Sequence, residues 1–228
     1  MSWPRPDPRR PGARPSPRRL ALLLLLACAL LACAASLAAP ARTLRFEQFS
    51  VEQGLAQESV LAVAQDSDGF MWFGSQAGLS RYDGYRVHNY RNAVNDRRSL
   101  ADNWVRVLHV DHAGRLWVGT DGGLDRFDPA TQSFSHHLPP EPARRGNGNR
   151  HVRAIVGDGG RGLWLATGDG LQHLDTDSGK FTIYHHDKDD PASLAADDVH
   201  ALARDAGGRL WVGTAAGLDS LAPGAAGF

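Results

Sequence analysis

The chain has 228 residues, with 25 basic and 25 acidic side chains and two cysteines. The balance is uneven: residues 1–41 carry six Arg and one Asp, which leaves 19 basic against 24 acidic groups beyond them and excludes a basic, nucleic-acid-binding face. Cys28 and Cys33 both fall in that first stretch, so disulfides, Cys-ligated metals and Cys nucleophiles are excluded from the rest.

The N-terminal stretch reads as a targeting signal. Arg5, Arg9, Arg10, Arg14, Arg18 and Arg19 precede an apolar run over 20–35 and then small residues, the order of n-region, h-region and cleavage region. The run is short for a spanning helix, which needs ~20 residues. Ala39-Pro40-Ala41 offers an A-x-A-like exit, so 1–41 is expected to be a signal peptide and 42–228 the exported part. Leu30-Leu31-Ala32-Cys33 also looks like a bacterial lipoprotein box, an alternative that would leave Cys33 lipidated. Ordinary cleavage is preferred, because a small residue beside a Cys arises easily in so Ala- and Leu-rich a run.

From residue 44 onward the chain repeats itself. Trp72, Trp117, Trp164 and Trp211 lie 45, 47 and 47 residues apart, in F-M-W-F-G-S, R-L-W-V-G-T, G-L-W-L-A-T and R-L-W-V-G-T. Each has an Asp six residues before it (Asp66, Asp111, Asp158, Asp205) and a Gly-Leu pair beginning six residues after it, at Gly78, Gly123, Gly170 and Gly217. Each period holds four short apolar-alternating runs separated by Asp/Gly-rich turns, in which Asp bonds its own downstream backbone and Gly accepts positive φ. This predicts an all-β fold. One four-stranded sheet cannot bury two faces, so successive sheets must stack, and four strands per ~45 residues is the period of a β-propeller blade. The Trp is then a blade-to-blade packing residue, and Gly74, Gly119 and Gly213 allow close approach near the axis.

Two features of the ends shape the expected architecture. Residues 45–49, R-F-E-Q-F, match a fourth strand and stand where a propeller lends an N-terminal strand to its last blade. The chain stops on Phe228, which should open a fourth strand of the last repeat. About four blades of a larger ring are therefore expected, with a closed four-bladed ring as the alternative, within the range of ~4–8 blades.

The wording of the repeats is specific. G-L-A-Q-E-S-V, A-Q-D-S-D-G-F-M-W-F-G-S-Q-A-G-L-S-R-Y-D-G-Y, D-H-A-G-R-L-W-V-G-T-D-G-G-L-D-R-F-D-P-A-T and S-L-A-D-N-W-V resemble the two-component regulator propeller family over 44–228. That resemblance implies a periplasmic sensor region of a bacterial receptor. The usual continuation is further blades that complete seven-bladed rings, so this chain would be an incomplete part of a larger seven-bladed ring, then a β-sandwich, a membrane helix and a histidine kinase or diguanylate cyclase. It also implies a membrane-anchored, dimeric parent. The third repeat departs from the pattern: Gly157-Asp158-Gly159-Gly160-Arg161-Gly162 replaces Asp-x-x-Gly, and Ala166 replaces the Gly after the Trp, so its first hairpin is expected to be distorted. The fourth has Ala215-Ala216 at the second turn.

Catalysis finds no support. The Asp-x-x-Gly-x-x-Trp unit resembles the Asp-box of sialidase-type propellers, where it holds a turn. No Arg cluster with a nucleophile, no G-x-S-x-G, no H-E-x-x-H and no phosphate-cradling Gly loop is present. His136-His137 and His185-His186 sit at equivalent strand ends, but adjacent strand residues point to opposite faces and neither pair can chelate. Asp187-Lys188-Asp189-Asp190 lacks the spacing of a calcium loop. No catalytic residue, metal or cofactor is expected. Binding is the better expectation, because loops on a rigid scaffold carry recognition. The long loops entering each repeat place Gln57, Asn103, Arg150 and Asp197 at one face, joined there by Gln76, Asp121 and Asp169 from the second turns. A small molecule or carbohydrate is the expected ligand class. Two alternatives stay open: a secreted four-bladed binding module, and a propeller lyase or glycosidase.

Overall fold

The computed structural model describes Arg18, Ala21 and residues 44–140, 150–225 and 227–228. The leader, with Cys28, Cys33 and 39–41, lies outside the described residues apart from those two positions. The chain divides into units 1–47 and 48–228, and the second contains every strand.

Among the described residues, fifteen strands form four antiparallel sheets, each wound in sequence order. The first sheet is β1 (Val60–Gln65), β2 (Met71–Ser75), β3 (Gly78–Tyr82) and β4 (Val87–Tyr90). The second is β5 (Val105–Val110), β6 (Leu116–Thr120), β7 (Leu124–Asp128) and β8 (Ser133–His137). The third is β9 (Ala154–Gly157), β10 (Gly162–Thr167), β11 (Gly170–Asp175) and β12 (Phe181–Tyr184). The fourth has three strands, β13 (Val199–Arg204), β14 (Leu210–Thr214) and β15 (Gly217–Leu221). These are the repeats read from the sequence, and the sheets stack face to face as propeller blades without closing into a ring.

The Asp and the Trp act together at the turn between first and second strands. In the second blade Asp111 Oδ1 accepts the backbone N–H groups of Ala113 and Arg115, at 2.9 and 3.0 Å, and Oδ2 accepts Trp117 Nε1–H at 2.8 Å. The same indole bond recurs at Trp72–Asp66 (2.7 Å) and Trp211–Asp205 (3.1 Å). The third blade differs as its sequence foretells. Its turn keeps the same length, with Asp158 N–H donating to Gly162 O at 3.0 Å, but the positive φ moves to Gly159, and Asp158 Oδ2 pairs with His173 Nε2 at 3.0 Å instead of Trp164.

Each Trp then seals its blade against the next. Trp72 packs with Val105, Leu116, Val118, Phe127 and Phe134 of the second blade, its ring 4.8 Å from that of Phe127. Trp117 packs with Val152, Ile155, Leu163 and Leu165, and Trp164 lies against Val199, Leu210 and Val212. Trp72 and Trp117 are fully buried, whereas Trp211 is 37% exposed. A Cβ on Gly74 would stand 2.6 Å from Val105 Cγ1 of the following blade, which is why no side chain fits there.

The second turn is closed by a pair the sequence only half declares. Ser75, Thr120, Thr167 and Thr214 donate their hydroxyls to the carbonyls of Gly78, Gly123, Gly170 and Gly217, at 3.0, 2.9, 2.7 and 3.1 Å. All four glycines have φ between 105° and 154°, where a side chain is strained.

The lent N-terminal strand does not form. Residues 44–50 carry no strand, and Phe49 instead stacks on Phe73 (5.7 Å) and Tyr82 (4.8 Å) of the first blade.

Candidate functional site

The winding places the turns between second and third strands and the long loops entering β5, β9 and β13 at one end of the sheets. The Asp-Trp turns occupy the other end. All seven predicted binding residues lie at the loop end, but the structure gives them different tasks. Asn103 and Asp197 are loop staples: Asn103 Oδ1 accepts Asn92 N–H at 2.8 Å, and Asp197 Oδ1 accepts His186 N–H at 2.6 Å. Gln57 Oε1 accepts Gln76 N–H at 3.0 Å, which ties two predicted residues to one another. Arg150 is exposed. Asp169 directly precedes Gly170 and is one residue out of register with Gln76 and Asp121, which lie two residues before their glycines. Its carboxylate is buried, and it comes together with His185 and Asp197.

Residues not singled out from the sequence complete the face. The register of the first strand shifts between Val60 and Ala62, Val105 and Val107, and Val199 and Ala201. A bulge re-aims its extra residue, and the residue concerned is Leu61, Arg106 or His200, with Arg153 at the corresponding place in the third blade. Arg106 forms a two-pronged ion pair with Asp121 through Nε and Nη2. Its guanidinium also lies 5.0 Å from the ring centroid of Trp104, which is 37% exposed. The hydrogen bond it donates to Asp121 holds the Arg106 guanidinium charged more firmly than usual, against the opposing effect of burial. Arg153 crosses to the fourth blade, pairing with Asp198 and donating to Val199 O at 3.1 Å, while His200 Nε2 stands 3.4 Å from Asp198 Oδ2. Arg106 and Arg153 were legible as cations within otherwise apolar strand runs, V-R-V-L and V-R-A-I, a pattern an edge-on strand does not need.

Beneath this face lies a fully buried carboxylate. Asp125 Oδ2 accepts Ala101 N–H at 2.8 Å, and Oδ1 meets His136 Nδ1 at 2.6 Å. Burial raises the Asp125 carboxyl above the usual range, and the hydrogen bond to Asp125 raises the His136 imidazole. Ser80 and Asp219 hold Ala56 and Ala195 in the same way, so this position of the third strand clamps the loop that enters the first, second and fourth blades. Of the two adjacent histidines, His137 turns inward, its ring 5.0 Å from that of Trp117, and burial lowers it to about 4.

The fold and its repeat geometry define a β-propeller assembled from Asp-Trp-Gly blades. The segments 54–77, 99–122 and 193–216 match the two-component regulator propeller family. The third blade, with its altered turn and Ala166, falls outside the matched segments. The chain is similar to the extracellular domain of BT3049 of B. thetaiotaomicron, assigned to the hybrid two-component systems, at 30% identity and a TM-score of 0.65, over 77% of this chain and 25% of that one. It shares the fold of the extracellular domain of BT4673 from the same organism, at 23% identity and a TM-score of 0.64, over 80% of this chain and 26% of that one. It shares the propeller fold with a streptogramin B lyase at 16% identity and a TM-score of 0.52, over 74% of this chain and 56% of that one. Among curated proteins it is 38% identical over 56 residues to histidine kinase P4 of Formosa agariphila, 25% of this chain and 4% of that protein. The chain thus spans a small fraction of the relatives it matches. Among the described residues, no helix is long and apolar enough to cross a membrane.

Proposed function

We propose that residues 42–228 are ligand-recognition blades of a bacterial signal-transduction receptor, working outside the cytoplasm after export on the 1–41 leader. The parent would be membrane-anchored and dimeric, with a histidine kinase or diguanylate cyclase as its output. The likeness to the extracellular domain of a hybrid two-component system supports the receptor context.

The observation that carries the reading is the polar face built over the bulged strands. Arg106, Asp121, Trp104, Arg153 and Asp198 gather at adjacent blades, on loops whose positions are fixed by buried clamps beneath them. A half-exposed indole beside a paired guanidinium and carboxylate offers a flat apolar surface flanked by directional donors and acceptors. That combination suits a sugar ring or a small polar molecule.

The test is a thermal-shift and calorimetric screen of the full chain against neutral and acidic oligosaccharides. A ligand whose effect disappears in Trp104→Ala and Arg106→Ala supports the reading. A ligand retained by both variants would move the site elsewhere. The lyase reading would gain ground only from turnover that Asp121→Asn abolishes.

A further inference from the structure

The third blade departs from its sisters at the loop end in three positions at once, and all three converge. The ligand atoms of Asp169, His185 and Asp197 lie within 4.8 Å of one another. They come from the turn between β10 and β11, the residue after β12, and the loop entering β13, so two blades meet at them. Asp169 is 2% exposed, and the side chains of His185 and Asp197 are 14% and 15% exposed. His185 Nδ1 is buried without a hydrogen-bond partner, facing Asp197 Oδ1 at 3.4 Å, which is longer than a charge-assisted hydrogen bond.

The scaffold itself does not require these groups. The first blade builds the same corner from Ala77, Arg91 and Asn103. Asn103 staples its loop as Asp197 does, Ser99 and Ser193 close the same turns, and Leu100 and Leu194 occupy the same buried position. An amide thus suffices where the third blade uses a carboxylate, and an alanine where it uses a buried acid. An imidazole and two carboxylates offer one nitrogen and two oxygen donors, the donor set of a first-row divalent cation.

We propose that Asp169, His185 and Asp197 bind a divalent transition-metal ion of the Zn²⁺ type, which clamps the third blade to the fourth at the loop end. This site corrects the reading from sequence, which looked for chelation within one His-His pair and found none. The pair separates: His186 Nδ1 bonds Leu194 O at 2.6 Å, while His185 turns to the two acids. Three protein donors leave coordination positions for water, and partial exposure gives the ion a route in. The clamp stands independently of whatever the neighbouring Arg106 face binds.

The test is calorimetric titration of the untagged, chelator-treated full chain with Zn²⁺ alone, with Mg²⁺ as comparator. Each variant installs what the first blade carries: Asp169→Ala, His185→Arg and Asp197→Asn. Asp197→Asn keeps the acceptor for His186 N–H, so its apo melting temperature serves as the control for folding. The expected result is saturable binding of one Zn²⁺ per chain, weakened roughly tenfold or more in each variant, with Mg²⁺ binding far less. Zn²⁺ should also raise the melting temperature of the parent chain and not of Asp197→Asn. A folded parent chain with no saturable binding, or binding unchanged in Asp197→Asn, would overturn the proposal.

Discussion

Replacing Trp117 with Phe isolates the bond and the packing that make one blade. The indole is fully buried between the second and third blades and donates to Asp111 at 2.8 Å. Burial alone would raise the Asp111 carboxyl, but the bonds from Trp117 and Arg115 outweigh it and hold it below the usual range. Losing a hydrogen bond to a charged acceptor costs about 1.5–3 kcal/mol, and the low end applies because Arg115 Nε still serves Asp111 Oδ2 at 2.7 Å. The smaller ring leaves a void among Val152, Ile155, Leu163 and Leu165, adding about 1–2 kcal/mol on the scale of large-to-small core changes. Trp117→Phe should therefore cost about 3 kcal/mol. Trp211→Phe, at a site 37% exposed with a longer bond of 3.1 Å, should cost under about 1 kcal/mol. Urea denaturation followed by circular dichroism gives the two midpoints. Equal shifts, or a larger one for Trp211→Phe, would refute the claim that the Trp works by sealing its blade against the next.

Three further outcomes follow from the same geometry. Asp125→Ala strands His136 and frees Ala101 N–H, so it should cost about 2–4 kcal/mol and speed hydrogen exchange in the loop over 91–103. The buried His137 imidazole, lowered to about 4, stays neutral in the folded chain while the unfolded chain takes up protons below its ordinary 6.5. Its contribution is complete above that value and is lost as pH falls from about 6.5 to about 4, by about 1–2 kcal/mol after allowance for screening; a His137→Leu variant should flatten that slope in denaturant midpoints measured across pH. Gly170→Ala forces a side chain into φ 105° with its Cβ 2.5 Å from Tyr184 O, and should lower the denaturation midpoint by more than about 1 kcal/mol.

The architecture was legible because each blade repeats one physical solution. An Asp that closes a turn and holds the indole, and a Gly that must adopt positive φ, leave a fixed spacing that composition cannot imitate. The third blade's irregular turn was legible for the same reason, as a broken spacing at Gly159 to Gly162. What lay beyond the sequence depended on which partner wins when several are within reach. Asp158 could serve Trp164 or His173, and only the packed blade decides for His173. Residues 45–49 had the composition of a strand, yet they form none, and Phe49 packs on Phe73 and Tyr82 instead. The binding face was half legible. Asp121 was placed correctly in its turn, but its partner Arg106 is aimed there by a bulge, a one-residue shift that leaves no mark in the pattern of apolar residues. Asn103 and Asp197 were read as free for a ligand when their first task is to hold a loop.

The central claim is that the loop end of the blades, and not the Asp-Trp end, recognises a small polar molecule. The most direct measurement is hydrogen exchange of the full chain with and without the strongest binder from the oligosaccharide screen. Recognition at the loop end should bring new protection at 91–104 and around Asp121 and Arg153, lost together with the thermal shift in Trp104→Ala. Protection confined to the opposite end, at the turns of Asp111 and Asp158, would contradict it.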